Sequence, residues 1–425
     1  MSSLPAILRY LYSLQHRGMK LGLRNTRALL RMAGNPERDL RCFHVAGTNG
    51  KGSTSSFLAS ILQESGSRVG LYTSPHLVHF SERIRINGRP IPDETIAAYV
   101  RRLKPAIEST GATFFEATTC LAFCWFADEG VDLAVIETGL GGRLDSTNVI
   151  KPLTSVISTI ALDHTHILGS TLRAIAREKA GIIKMGVPCV TSSRDPGVLT
   201  TFDRIASARR TRVSRAGKML RIIDSHSGRF RLHSRSGWET GIIEPGLAGA
   251  HQRENARLAV AAVHLWSRRS GGTVSRVAVE RGIAHVVRNT GLRGRCERAG
   301  RFIFDVAHNP EGADALSSSL INQGEGSLVV VIGMMEDKEL PGIILPLSRI
   351  AYCFVTVTPV TGRALPEKLL RRRIHRLSFR AYRGGSVSAG LRRAAHIAGK
   401  ERRILVTGSH YVVGSALGQM KSTFA

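Results

Sequence analysis

Gly47-Thr48-Asn49-Gly50-Lys51-Gly52-Ser53 places three glycines, a lysine and two hydroxyls in seven consecutive positions. Glycines let backbone N–H groups turn inward toward an anion, and a helix N-terminus behind them adds positive potential. The lysine supplies a mobile charge for outer phosphates. The segment departs twice from the strict phosphate-loop pattern G-x-x-x-x-G-K-[ST]. Val45 stands where the first glycine belongs, and Gly52 separates Lys51 from Ser53.

Other chemistry-bearing residues follow apolar runs. Glu137 closes "LAVIE", where a carboxylate beside a phosphate loop suits Mg²⁺, a cation that prefers hard oxygens and keeps some of its water. Asp163 and His164 follow "VISTIAL", and "FIFDVAHNP" repeats the arrangement with Asp305, His308 and Asn309. Gly139-Leu140-Gly141-Gly142 is not a dinucleotide motif, because Leu144 takes the place of the third glycine.

The elements that must position these residues are short Val/Ile-rich runs, each followed by a helical pattern. They are Cys42–Ala46, Val69–Tyr72, Leu133–Glu137, Thr154–Ile160 and Val187–Thr191, then Phe302–Val306, Leu328–Ile332, Cys353–Val357 and Ile404–Thr407. Strands alternating with helices imply α/β architecture with mostly parallel sheets covered on both faces. Ligands of such sheets bind beyond the carboxyl ends of the strands, where the polar residues fall. Arg212–Gly249 breaks the rhythm and reads as a small antiparallel insert. Arg288–Gly300, rich in Gly and Arg, reads as a linker between an N-terminal domain, residues 1–290, and a smaller domain, residues 291–425. Polar strand ends in both domains lead to the expectation of a site between them.

With 43% hydrophobic and 22% charged residues, the 425-residue chain has the composition of a soluble globular protein of two or three domains. No apolar stretch is long enough to span a bilayer, and Met1–Pro5 lacks the features of a secretory leader, so the cytoplasm is the expected compartment. Six scattered cysteines without C-x-x-C spacing read as buried free thiols. The net charge of +28 allows solvated arginines, an anionic substrate or nucleic acid. No aromatic residues interleave with the arginines as a single-strand platform requires, which disfavours nucleic acid.

Taken together, "AGTNGKGS", "LYTSPHLVHFSERIRING", "FFEATT", "VIETGLGGRLDSTN", "ALDHTHILG", "REKAGIIK", "FDVAHNP" and "VIGMMEDKE" occur in an order that covers most of the chain. In these blocks the chain resembles the folylpolyglutamate synthases and bifunctional dihydrofolate synthase/folylpolyglutamate synthases of the Mur ligase superfamily. G-T-N-G-K-G-[ST] is that family's own phosphate loop, which accounts for both departures from the strict pattern. The implied fold is a Mur-ligase-like phosphate-loop domain with a mostly parallel central sheet and a small antiparallel insert. A smaller Rossmann-like α/β domain follows.

The resemblance implies an ATP-dependent acid–amino-acid ligase. A substrate carboxylate takes the γ-phosphoryl group of ATP, and the amine of L-glutamate displaces phosphate from the acyl phosphate. Catalysis is then mostly positioning and charge neutralisation. Gly47, Thr48, Asn49, Gly50, Lys51, Gly52 and Ser53 would hold the phosphates, joined by Asn255, Arg295 and Asp305 as nucleotide contacts. Ser74 and Glu137 would ligate one Mg²⁺ and His164 would help hold a second; the resemblance also admits K⁺. Lys179 matches a lysine that is carbamoylated in the superfamily, a change that replaces an ammonium repelled by Mg²⁺ with an anionic oxygen pair. With Lys51 and Lys179, His308 is carried over as catalytic, near the glutamate or base end of the site.

Leu21, Gly22, Thr113, Phe114, Phe115, Glu116, Arg143, Leu144, Asp145 and Ser146 are the residues the resemblance places around the pterin. Bifunctional members share "GGRLD", here with Arg143, which favours dihydropteroate as well as reduced folates as acceptors. A monofunctional folylpolyglutamate synthase is the alternative. A Mur-type cell-wall ligase is less favoured, because the short stretch before Gly47 reads as helix rather than as a uridine-binding domain. A basic nucleic-acid-stimulated ATPase is the rival from another class. The expected partners are small molecules (ATP, L-glutamate, dihydropteroate and reduced folates), with no membrane and a monomeric state.

Overall fold

The structure is a computed structural model and describes residues 4–18, 22–225 and 228–423. It divides into two compact units. The first draws on Met1–Ser74, Ser81–Gly246 and Arg253–Gly291; the second on Pro75–Phe80, Leu247–Gln252 and Leu292–Ala425.

The first unit is built on eight strands: β1 (Cys42–Ala46), β2 (Val69–Tyr72), β3 (Ile84–Ile86), β4 (Arg89–Pro90), β5 (Leu133–Glu137), β6 (Thr154–Ile157), β7 (Cys189–Thr191) and β8 (Val213–Arg215). Their order is β4-β3-β2-β5-β1-β6-β7-β8. β3 and β4 pair antiparallel at one edge, and the other six run parallel. β1, β2, β5 and β6 are buried along their whole length, as continuous apolar runs in a sheet covered on both faces should be.

The helix Lys51–Glu64 crosses this sheet with every residue from Ser53 to Leu62 buried. Part of that burial is a close crossing with the helix Arg276–Ala284. A Cβ on Gly282 would stand 2.5 Å from the Ile61 Cα, and Ser60 Oγ donates to the Gly282 carbonyl at 2.7 Å. The crossing fixes the direction from which the helix N-terminus meets the sheet edge.

Beyond β8, β9 (Leu220–Asp224) and β10 (Phe230–Ser234) form an antiparallel pair, so the expected small insert is present. It starts later than the sequence pattern suggested, because Val213–Arg215 joins the main sheet beside β7 in parallel.

The second unit carries β11 (Glu297–Ala299), β12 (Phe302–Phe304), β13 (Leu328–Ile332), β14 (Ala351–Val357), β15 (Ala381–Gly385) and β16 (Ile404–Thr407). The order is β11-β12-β16-β13-β14-β15, parallel except for β11. Alternation along β13 divides its side chains between two cores. Leu328, Val330 and Ile332 join the cluster of Leu316, Ile343 and Phe354; Val329 and Val331 join that of Phe304, Val355 and Val412.

Arg288–Gly300 holds the end of the helix Val286–Thr290 and all of β11, which pairs with β12. Two strand ends differ from expectation. β6 ends at Ile157 rather than Ile160, because Ser158, Thr159 and Ala161 turn to bond the phosphate loop. β12 ends at Phe304: beyond it Val306 N turns to the Gly294 carbonyl, and Ala307 N donates to the Asp305 carboxylate. All six cysteines are free and buried, as their spacing implied. Among the described residues no helix is long and apolar enough to cross a membrane.

Candidate active site

Register gathers the first unit's chemistry at one sheet edge. β1 lies between β5 and β6, with Val45 opposite Glu137 and Ala46 opposite Ile157; β2 brings Tyr72 opposite Ile136. Gly47, Ser74, Glu137 and Ser158 therefore leave adjacent parallel strands at their carboxyl ends.

The loop between β1 and the helix Lys51–Glu64 needs its glycines. Gly47 has φ +150°, and a Cβ there would stand 1.8 Å from Ser158 Oγ; Gly50 has φ +81°, and its Cβ would stand 2.3 Å from Asn255 Oδ1. The loop is fastened to the chain after β6. Thr48 N donates to the Thr159 carbonyl at 2.8 Å, Ala161 N to Thr48 Oγ1 at 3.1 Å, and Ser158 Oγ to the Asn49 carbonyl at 2.7 Å. Lys51 opens the helix and donates from Nζ to the Thr48 carbonyl at 3.2 Å, folding its charge over the loop.

Lys179 lies beneath this loop. It is 4% exposed, and its Nζ donates to the Gly47 carbonyl at 2.8 Å. Burial, then the Lys51 charge, pull its pKa down to about 7, against the opposing pull of Asp163 and Asp145. Desolvation outweighs Coulomb attraction here, as it does for buried ammonium groups without a close carboxylate. Near neutral pH an appreciable fraction is the free, nucleophilic amine.

Glu137 is 3% exposed, and its Oε2 accepts the Ser74 amide at 3.1 Å. His164 adopts a left-handed backbone, φ +49°, held by the Asp163 carboxylate: His164 N donates to Asp163 Oδ1 at 2.9 Å, and His164 Nε2 lies 4.0 Å from the same oxygen. Among the described residues no three His, Cys, Asp or Glu side chains form a metal cage. A buried carboxylate with a neighbouring hydroxyl residue nonetheless fits Mg²⁺, which takes much of its shell from water and phosphate oxygens.

The residues expected around a pterin are divided by the structure. Gly22, with φ +138°, and the half-exposed Leu144 keep open surroundings, while Leu21 lies outside the described residues. Phe114 stacks on Tyr12 at 5.6 Å and under Arg83 at 5.2 Å; Phe115 faces Tyr72 at 6.2 Å and closes on Gly139. Thr113 and Glu116 are engaged with each other in a capping box, the Glu116 Oε2 accepting the Thr113 amide at 2.7 Å. Asp145 is buried and caps its own loop, accepting Leu140 N at 2.9 Å and Thr147 N at 3.0 Å. Burial raises its pKa, and these bonds oppose the rise. Arg143 pairs with Glu178 at 2.9 Å, next to Lys179 in sequence, and Ser146 is buried.

In the second unit Asp305 follows β12 and accepts Cys296 N and Ala307 N, each at 2.9 Å. His308 donates from Nδ1 to the Val306 carbonyl at 2.9 Å, and its ring lies 5.3 Å from that of His410. His251, which sequence reasoning passed over, is half-buried here. Its pKa is lowered by burial, raised by Asp305 and lowered by Arg295. It stands four residues before Asn255 in "HQRENARLA", the one signal that could have drawn attention to it.

Two family profiles match the chain: the Mur ligase middle domain over residues 45–263 and the Mur ligase glutamate ligase domain over residues 294–410. The chain is 37% identical over 350 residues to the dihydrofolate synthase/folylpolyglutamate synthase of Bacillus subtilis, covering 79% of this chain and 80% of that one. It is 33% identical to the Escherichia coli protein of the same description, covering 98% and 95% respectively. The solved structure of E. coli FolC in complex with DHPP and ADP superposes with a TM-score of 0.89 at 29% identity, covering 100% of this chain and 99% of that one.

Proposed function

Since the chain belongs to the Mur ligase family, in its dihydrofolate and folylpolyglutamate synthase branch, we propose that it uses ATP to ligate L-glutamate to folates. The acceptors in this reading are dihydropteroate and reduced folates or their polyglutamates. The observation that carries it is the loop Gly47–Lys51, clamped by Ser158 and Thr159 and underpinned by Lys179, at the carboxyl edge of the sheet.

A carboxylate is a poor electrophile, so the acceptor carboxylate first attacks the γ-phosphorus, and ADP leaves. The glutamate amine then attacks the acyl carbon, loses a proton, and inorganic phosphate departs. Thr48–Lys51 would hold the phosphates, with backbone N–H groups from the loop after Thr48, whose own amide is taken by the Thr159 carbonyl, and the Lys51 ammonium would neutralise charge on the outer phosphates. Asn255, fixed against Gly50, is proposed as a nucleotide contact, as are Arg295 and Asp305, while His308 is proposed for the glutamate or base end. Ser74 and Glu137 would hold one Mg²⁺ and His164 would help hold a second. When bound, the cation adds positive charge beside the phosphoryl oxygens.

The lowered Lys179 pKa supports carbamoylation: the free amine adds to CO₂ with loss of one proton, converting a cation beneath the loop into an anionic oxygen pair. Arg143 in "GGRLD" favours both acceptors over polyglutamylation alone. The test is phosphate release with ATP, L-glutamate and acceptor each omitted in turn, run separately with dihydropteroate and with tetrahydrofolate. Release that needs all three supports the ligase. ATP consumption without glutamate and acceptor, rising with DNA or RNA, replaces it with the nucleic-acid ATPase.

A further inference from the structure

The amino ends of β1 and β6 open on a cavity of about 700 Å³ within the first unit, lined by Leu23, Arg24, Arg27, Arg31, Asn35, Glu37, Arg38, Leu40, Val149 and Lys151. Leu40 stands just before β1, and Val149 and Lys151 just before β6, so the cavity lies at the opposite end of these strands from the phosphate loop. β1 has five residues, which separates its two ends by roughly 17 Å at ~3.3 Å per residue.

Five cationic side chains face one carboxylate in this wall. Arg24, Arg27 and Arg31 lie at i, i+3 and i+7 on the helix Arg24–Met32, the spacing at which like charges repel along one face. Among the described residues none of the five forms an ion pair. Elsewhere in the same unit surface arginines do find acids, as in Arg68–Glu129, Arg102–Asp128 and Arg143–Glu178. Glu37, the one acid in the wall, buries its Oε2 and does not neutralise the cluster. The positive field reaches inward: Lys184, bonded to the Asn148 carbonyl, has its pKa pulled down to about 8 by burial, then by Arg209 and Arg27.

We propose that this cavity is a second anion site, taking a compact polyanion with several phosphate or carboxylate groups. Arginine forks suit such groups, because planar guanidinium groups bind oxyanions bidentately while keeping their charge. The cavity is half open, and no aromatic side chain lines it, which favours a compact oxyanion over a nucleic-acid strand held by base stacking. The proposal does not depend on the ligase reading.

The test uses the full chain carrying Lys51→Ala, which weakens the phosphate loop's own affinity for the probe, so that the arginine variants report on the cavity. Calorimetric titration with inorganic tripolyphosphate is expected to show one site whose affinity falls with salt. Adding Arg27→Gln with Arg31→Gln should weaken binding about tenfold or more, as loss of charge-assisted bonds does. Lys151→Gln, in an exposed turn, should weaken it severalfold and decides the matter if the double variant does not fold. A parallel titration with tri-γ-glutamate separates a phosphate from a carboxylate ligand, and binding of either supports the site. Absence of binding by both, equal affinity in the variants, or displacement of tripolyphosphate by a single-stranded oligonucleotide at lower concentration overturns it.

Discussion

Lys179 Nζ hydrogen-bonds the carbonyl of Gly47, the first residue of the phosphate loop, at 2.8 Å across 132 positions of sequence. A buried lysine thus ties the helix Leu172–Lys179 to the loop that would cradle phosphates. Its protonation state and its position are both set by that placement.

Replacing Lys179 with Met is expected to lower kcat about a hundredfold or more, since a displaced loop forfeits positioning. The pH dependence of stability should change as well. The folded pKa is about 7, against an ordinary lysine value of 10.5, so between these values the unfolded chain holds a proton that the folded chain has released. Stability therefore rises with pH through this window. Lys184, lowered to about 8, contributes in the same direction, so the comparison is between wild type and variant. Thermal unfolding across pH 7 to 10.5 should show a shallower rise for Lys179→Met; identical slopes would remove the assigned titration.

Carbamoylation has its own readout. Intact mass measured with added bicarbonate should show a carbon dioxide adduct in the wild type and none in Lys179→Met. Ligase rate should rise with bicarbonate in the wild type alone. An adduct that persists in the variant assigns the modification to another amine.

Gly47→Ala should weaken nucleotide binding more than tenfold and cost about 1–3 kcal/mol of stability, because the new Cβ meets Ser158 Oγ at 1.8 Å. Pairing it with Ser158→Ala should restore part of the stability by removing that oxygen. Calorimetric ATP titration with thermal unfolding measures both effects.

Glu137→Gln keeps the shape that receives the Ser74 amide and removes the charge. The Mg²⁺ concentration giving half-maximal rate is expected to rise about tenfold or more. An unchanged Mg²⁺ titration at full activity would exclude this carboxylate as a ligand.

Asp145→Ala is expected to act first on stability. Its carboxylate caps Leu140 N and Thr147 N in a buried loop, and leaving those donors unpaired costs about 1–3 kcal/mol. A loss of acceptor affinity without a fall in melting temperature would instead place Asp145 directly on the pterin.

Much of this was legible in local pattern. Apolar runs followed by helices announced two parallel sheets, and polar residues at the ends of several runs announced the chemistry, because strand burial and the carboxyl-edge rule act on neighbouring residues. The glycines of the loop were readable as a phosphate cradle. What they avoid, Ser158 Oγ and Asn255 Oδ1, was not, since those atoms arrive from other elements. Thr113, Glu116 and Asp145 were readable as polar candidates, yet their caps could be seen only once the backbone donors beside them had been placed.

The order of residues by itself determined the α/β class, the family and the phosphate loop, for these depend on short-range periodicity and contiguous motifs. Tertiary structure alone decided that Lys179 is a buried amine under Gly47 rather than a solvated helix cation. It also decided that Arg24, Arg27, Arg31, Arg38 and Lys151 share one cavity. Desolvation and charge clustering are properties of surroundings, and those surroundings exist only after parallel strands far apart in sequence have taken their register.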